Sequence, residues 1–294
     1  MTDNRSSELD VAIIGHFAKD KIIVNGQETV ASGGSVYYGG LALRRLGLNV
    51  AVITRLARDD FARLEELTAE GIRVFARAAR QTSGIANTYF TADMDRRLTR
   101  PLGDAGRFRL RDLPRIAPRL WLVGPLMVGE VDLAFIRALA ARGPVALDAQ
   151  GFVRIRDGEN LVFRDWVDKR DGIPYVQYLK VDQAEAEVLT GFTDRRRAAE
   201  QLAEWGAQEV VLTHAGGVLV VAPGAVSEAT FAPRSLAGRT GRGDTCFAAY
   251  LAQRRIANPQ EACAFAARIT SLKLETPGAF RGLGPSAATV PPGP

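Results

Sequence analysis

Thr240-Gly241-Arg242-Gly243-Asp244-Thr245 runs without a break into Cys246-Phe247-Ala248-Ala249-Tyr250-Leu251. The first half reads as a tight turn and the second as an apolar helical run, so a helix should begin at the glycines. Two glycines let the backbone turn sharply and aim successive amides at one point, and the start of a helix adds positive potential there. An anion site is expected at this turn. Asp244 would lie beside any phosphate held by those amides, placed to accept a proton from an attacking hydroxyl. The competing reading is that Asp244 or Thr245 caps the helix, because both residue types are favoured there.

Outward from this turn, short apolar runs alternate with helical patterns. Val11 to Ile14, ended by Gly15, reads as a buried strand. Lys21 to Val30 reads as a hairpin through Asn25-Gly26, Ser35 to Leu46 as a helix stopped by Gly47, and Val50 to Ile53 as a strand. A helix follows at about Asp59 to Ala69, a strand at Ile72 to Phe75, a helix at Val131 to Ala141 and a strand at Val145 to Leu147. Between them Ile85 to Thr91 and Arg97 to Thr99 flank the polar turn Ala92 to Arg96, a second hairpin able to pair with the first. Val176 to Val181 reads as strand, and Glu185 to Leu189 and Ala198 to Trp205 as helices. Glu209 to Thr213, Val218 to Ala222 and Ala225 to Phe231 read as strands of an antiparallel edge, before closing helices at Gly243 to Arg254 and Pro259 to Leu274. This is the rhythm of an α/β protein with a mostly parallel sheet covered by helices. The small, proline-rich tail Gly284 to Pro294 is expected to be mobile.

The 294 residues fit one large domain, 1–294, with a small accessory element. Hydrophobic residues at 47% against 24% charged exclude global disorder and allow a sizeable core. The net charge of +5 is dispersed among acidic residues instead of forming a basic block, which argues against a nucleic-acid partner. Cys246 and Cys263 are not spaced as a metal-ligand pair and read as buried free thiols. Met1 to Asp10 carries no apolar signal core and no stretch has the length of a membrane span, so a cytoplasmic protein is expected.

Several motifs in order carry a resemblance. The turn at Thr240 to Asp244 resembles the signature Asp-Thr-x-Gly-Ala-Gly-Asp, and Gly33-Gly34 with Leu43-Arg44-Arg45-Leu46-Gly47 a second one. Val181-Asp182-Gln183-Ala184-Glu185 resembles an Asn-x-x-Glu segment, and Thr276-Pro277-Gly278-Ala279 an adenine-side loop. Together they resemble the ribokinase-like, or PfkB, carbohydrate kinases along nearly the whole chain. The resemblance implies a three-layer α/β/α domain with a mostly parallel central sheet and a small β-sheet lid, from about 16–34 and 84–101. It implies ATP and Mg2+ as co-substrates and phosphoryl transfer to an alcohol. Asp244 would be the base and the amides of Gly241, Arg242 and Gly243 the anion hole. Thr213, Gly216, Gly278 and Ala279 would face the nucleotide, Asp182 and Glu185 the metal, and Asp20, Gly33, Gly34 and Tyr38 the acceptor. A carboxylate beside a helix start is expected to stay ionised.

The sequence also departs from the pattern. Arg242 replaces alanine, its guanidinium able either to reach the nucleotide phosphates or to fold back onto a surface carboxylate. Gly238 stands where the signature begins with an Asp that helps bind a monovalent cation in some members, which puts potassium dependence in doubt. Asp182 replaces Asn, and with Glu185 it equally reads as a helix-capping pair. The segment Thr213-His214-Ala215-Gly216-Gly217 is compressed, and both His214 and His16 read as structural. Asp20 has a competing reading as a turn residue before the hairpin. Tyr38 replaces a sugar-binding Asn and has a competing core reading. Gly33-Gly34-x-x-Tyr37-Tyr38 with Leu147 to Arg154 looks like the myo-inositol kinase branch, so Asp148, Gln150 and Arg154 are candidate acceptor contacts or else a structural loop. A kinase of a small sugar or polyol, myo-inositol first, is the leading reading, with a nucleoside kinase or a non-catalytic sugar sensor as alternatives. A dinucleotide oxidoreductase is disfavoured, because Gly15-His16-Phe17-Ala18 lacks the glycine fingerprint. A small molecule is the expected partner, with no nucleic acid or membrane; a homodimer is left open.

Overall fold

Val11–Ile14 is buried along its whole length, with Val11 and Ile13 in one apolar cluster and Ala12 and Ile14 in another. A strand apolar on both faces needs cover on both sides. In a computed structural model, which describes residues 8–24, 26–89 and 97–282, helices supply that cover on both faces of a nine-stranded sheet.

The strands are β1 (Val11–Ile14), β2 (Ala18–Val24), β3 (Gln27–Gly33), β4 (Val50–Ala57), β5 (Arg73–Ala79), β6 (Ile85–Tyr89), β7 (Arg97–Pro101), β8 (Leu120–Val123), β9 (Val145–Asp148), β10 (Arg154–Asp157), β11 (Asn160–Phe163), β12 (Tyr178–Asp182), β13 (Glu209–His214), β14 (Gly217–Ala222) and β15 (Ala225–Thr230). The helices are α1 (Ser35–Arg45), α2 (Glu65–Ala69), α3 (Leu133–Ala140), α4 (Gln150–Val153), α5 (Lys169–Gly172), α6 (Gln183–Thr190), α7 (Arg195–Glu204), α8 (Arg242–Arg254) and α9 (Pro259–Leu274).

The large sheet has the order β15-β14-β13-β12-β9-β8-β1-β4-β5. Its pairs are parallel from β5 to β13, and β14 and β15 close one edge antiparallel, as the three consecutive strand patterns predict. Side chains of α1, α8 and α9 fill the core on one face, and those of α3, α6 and α7 the core on the other. The chain moves outward from β1 in both directions, to β4 on one side and β8 on the other, which opens a crevice at the carboxyl ends of the central strands. Among the described residues no helix is long and apolar enough to cross a membrane. Both cysteines are free and buried, as expected.

The two hairpins form one small sheet, β3-β2-β6-β7, joined by parallel pairing of β2 with β6. Its roots meet at His16, which is fully buried between β1 and β2. His16 Nε2 lies 2.7 Å from the Gly106 carbonyl, a contact only a ring N–H satisfies, and Nδ1 lies 2.8 Å from Ser83 Oγ, just before β6. The structural reading of His16 is the one observed.

Three segments differ from the sequence reading. Leu120–Val123 is a central strand that the alternation did not reveal, since four apolar residues give no period. In 58–69 only Glu65–Ala69 is α-helical; Arg58–Leu64 winds as 3-10 turns, with Asp60 reaching out to Lys19 and Thr82. The stretch after β9 is not an open polar loop but the short α4 and the β10–β11 hairpin. Asn25, the turn Ala92 to Arg96 and the tail Gly284 to Pro294 lie outside the described residues.

Candidate active site

The crevice holds a cavity of about 370 Å³ whose wall is built from strand ends, helix starts and the small sheet. Asp148, Asp182 and Thr213 come from the carboxyl ends of β9, β12 and β13; Gly34 and Tyr38 come from the start of α1; Gly241 to Asp244 come from the start of α8. Asp20 and Asn87 face it from the small sheet, and Gln150 and Arg154 from α4 and the start of β10.

Gly241 takes φ 79°, and a Cβ there would lie 2.3 Å from atoms of the Tyr38 ring, so only glycine allows this turn. Tyr38 is buried and packs edge-on against Tyr37, so the core reading of Tyr38 is realised while one side still borders the cavity. Asp244 does not cap α8. Its Oδ1 instead accepts a hydrogen bond of 2.5 Å from Ser35 Oγ at the start of α1. Loss of surrounding water, and then Asp148, push the Asp244 carboxyl above its ordinary value; the Ser35 bond, Lys180 and Arg154 oppose this. Burial thus works against the ionised form expected beside a helix start, while the Ser35 bond, Lys180 and Arg154 work for it.

Lys180 is almost fully buried behind the turn. Its Nζ lies 3.0 Å from both carboxylate oxygens of Asp148 and 3.6 Å from Glu185 Oε2. Burial disfavours its charge, but Asp148, Glu185 and Asp182 outweigh that and raise its pKa. Asp148 also accepts from the Gln150 backbone N–H, so its carboxylate is committed to organising the wall.

Among the residues expected to meet the acceptor, Asp20 Oδ1 accepts from the Ile85 N–H at 2.8 Å, tying the two hairpins together. Burial pushes the Asp20 carboxyl up to about 6, against the Ile85 bond and Arg154 and with Asp244. Gly33 does not line the cavity, but a Cβ there would lie 2.4 Å from Asp20 Oδ2, so the glycine makes room for that carboxylate. Gln150 Nε2 donates to the Leu126 carbonyl at 3.3 Å, and Arg154 lies over the Phe163 ring.

Asp182 and Glu185 form the capping box of α6: each side chain accepts from the other's backbone N–H, at 2.8 and 2.7 Å. Glu185 is fully buried, its pKa is raised by that burial, and its Oε1 has no hydrogen-bond partner. Among the described residues no group of three carboxylates, imidazoles or thiols could hold a metal alone. Mg2+ is commonly held by one or two carboxylates together with substrate phosphates, and Asp182, backed by the unpartnered Glu185 oxygen, fits that use. Of the residues expected on the nucleotide side, Thr213 lines the cavity, whereas Gly216, Gly278 and Ala279 do not. Gly216 donates to His214 Nδ1, Gly278 is exposed, and Ala279 is packed in the core.

Sequence reasoning missed Ser35, Asn87, Lys180 and Arg239. Lys180 had a signal, since a lone lysine inside an apolar strand pattern must find a partner. Arg239 simply extends the turn that begins at Thr240.

The chain matches the pfkB family carbohydrate kinase across residues 10–283. No curated protein matches it. Among solved structures it is similar to a pyrophosphate-dependent kinase in the ribokinase family complexed with a pyrophosphate analog and myo-inositol, at 36% identity over 92% of this chain and 97% of that one, TM-score 0.87. It is similar at 36% identity over 92% of this chain and 95% of that one, TM-score 0.86, to a pyrophosphate-dependent myo-inositol-1 kinase converted into a myo-inositol-3 kinase. The ribokinase of Arabidopsis thaliana complexed with ribose and ATP shares the fold, at 17% identity over 93% of this chain and 95% of that one, TM-score 0.74. This chain belongs to the pfkB family of carbohydrate kinases, with a ribokinase-like fold, and is a kinase that phosphorylates a hydroxyl of a sugar or polyol.

Proposed function

We propose that the chain phosphorylates myo-inositol or a close cyclic polyol and that its phosphoryl donor is pyrophosphate. The observation that carries this reading is a cavity with two unlike ends. At one end the Gly241–Gly243 turn, Arg239, Arg242 and Thr213 gather amides and positive charge; at the other Asp20, Asn87, Gln150 and Arg154 present separate polar groups. A ring bearing a hydroxyl on every carbon suits such directed groups, because a site built from them rejects analogues lacking a hydroxyl. The likeness to pyrophosphate-dependent inositol kinases at 36% identity favours the same donor. ATP, the donor expected from the family resemblance, is a second reading, supported by the shared fold of the ATP-bound ribokinase. Of the residues expected to face a nucleotide, Gly216, Gly278 and Ala279 lie outside this cavity and Thr213 alone lines it, which favours the smaller donor.

In the proposed reaction an acceptor hydroxyl oxygen attacks the terminal phosphorus while its proton passes to the Asp244 carboxylate. The bond from that phosphorus to the bridging oxygen breaks, and orthophosphate leaves when pyrophosphate is the donor. Ser35 fixes the orientation of Asp244, the turn residues Gly241 and Gly243 meet the donor's negative oxygens, and Asp20 and Gln150 orient the ring. Mg2+, held by Asp182 and the donor, would supply charge neutralisation of the phosphates.

A matrix of pyrophosphate and ATP against myo-inositol, ribose, fructose and adenosine, with Mg2+ present and phosphorylated product measured, tests the reading. Pyrophosphate with myo-inositol should give the highest rate. Preference for adenosine or ribose overturns the acceptor, and preference for ATP overturns the donor.

A further inference from the structure

The last turn of α9 sends a lysine into the protein interior. Lys273 is 1% exposed and ranks among the largest fully buried side chains. Its ammonium donates 2.6 Å to the Gly238 carbonyl, three residues before Gly241, and lies 5.8 Å from the centre of the Tyr38 ring. That ring is the surface against which Gly241 turns. A buried charge normally demands a carboxylate partner; this one is held by a carbonyl dipole and an aromatic face, both attached to the anion-binding turn.

The place it occupies is informative. Gly238 stands where related signatures carry the Asp that helps bind a monovalent cation, and here no side chain fits. A Cβ on Gly238 would lie 1.8 Å from the Thr276 carbonyl oxygen and 2.9 Å from that of Lys273. The Gly238 N–H donates 2.8 Å to the Leu274 carbonyl, so the segment entering the turn is clamped to 273–276 on both polar groups of Gly238. The residues present therefore do not fit an exchangeable cation held by a carboxylate at 238. They fit a positive charge that is part of the chain.

We propose that Lys273 is a tethered monovalent cation, a positioning residue whose ammonium organises the Gly238–Gly243 turn for its anionic donor and makes the enzyme independent of potassium. The inference rests on the phosphotransfer reading of this turn. Loss of water around the amine pushes its pKa down to about 8, with Asp244 at the start of α8 pulling the other way. The other titratable group against it is Tyr38 of α1, whose phenol burial pushes well above its ordinary value, so it stays neutral. The tether is therefore charged at neutral pH and is lost as the pH rises through about 8.

The test compares potassium with tetramethylammonium as the only monovalent cation, measuring donor KM, and inorganic pyrophosphate binding by calorimetry without acceptor. Wild-type values should agree within about 2-fold between the two salts, and pyrophosphate affinity should fall above about pH 8. Lys273→Met should weaken pyrophosphate binding by about 10-fold or more, leave acceptor KM within about 2-fold and flatten that pH step. Lys273→Ala should recover part of the binding on addition of methylammonium or potassium, which a packing role would not give. Activation of the wild type by potassium by several-fold overturns the proposal without any variant. So does wild-type pyrophosphate affinity in folded Lys273→Met. Pyrophosphate binding that depends on Lys273 in a protein that transfers no phosphate would instead leave the tether standing and sink the functional reading.

Discussion

The two ends of the cavity solve recognition by different means. The glycine-turn end is made chiefly of backbone: Gly241 to Gly243 open a helix that is buried in the core from Thr245 to Ala252. The proposed acceptor end is made of side chains, Asp20, Asn87, Gln150 and Arg154, carried on a small sheet, a one-turn helix and a hairpin. A backbone cradle tolerates a changed side chain, but the Arg242 N–H expected in the anion hole donates 3.3 Å to the Arg239 carbonyl within the turn. A side-chain site has no such tolerance, so on the proposed reading substrate choice within one fold is written at the acceptor end. Asp244 stands at the junction, bonded to Ser35 from α1 and sharing its surroundings with Asp148, Lys180 and Arg154.

The largest effect is expected at that junction. Asp244→Asn keeps the size of the side chain and an oxygen for Ser35 but cannot take the hydroxyl's proton. Its kcat should fall by about 100-fold or more, with both KM values within about 3-fold and the melting temperature preserved. Retention of more than about a tenth of the wild-type rate would place the base elsewhere. A donor-end change should act on one substrate only. Gly241→Ala puts a Cβ into the Tyr38 ring at a φ that L-residues avoid, so donor KM should rise by about 30-fold while acceptor KM stays put. Equal losses for donor and acceptor would mean that the two ends are not independent.

Legibility in the sequence follows the same division. The backbone end was readable because glycine spacing before an apolar run is a local signal, and nearly all strands of the large sheet were readable from short apolar runs. β8 was not, since a fully buried four-residue strand has no period and its flanks, Pro118 and Gly124, carried no helix signal. The pairing of the two hairpins was legible because both interrupt the βα rhythm at matching places. Lys273 was invisible: within Ser271-Leu272-Lys273-Leu274 it reads as an ordinary cation in the last turn of a helix, where such residues normally complement the dipole from outside. The capping box at Asp182 and Glu185 was legible as an alternative, and only the structure shows that Glu185 is buried with an oxygen to spare.

The smallest effect, and the one that separates the two ends most cleanly, is expected at Asp20. Its folded pKa, about 6, lies above the ordinary carboxylate value of 3.8, so the ionised form is the less comfortable one in the folded protein. At pH 7.5 ionised Asp20 costs stability, on the order of 1–3 kcal/mol, and the cost disappears once the pH drops below the unfolded value. Asp20→Asn keeps an oxygen for the Ile85 N–H and removes the charge. The variant should therefore melt higher than wild type at pH 7.5 and at the same temperature near pH 4. Its activity should move the opposite way: kcat/KM for the polyol falls by about 10-fold as a charge-assisted bond becomes a neutral one, and donor KM does not change. Wild-type polyol affinity should fall as the pH drops through about 6, a step the variant lacks. A variant that melts lower at pH 7.5, or one that loses donor and polyol affinity together, would show that Asp20 serves as a structural tie between the hairpins and not as a charge kept in place for the acceptor.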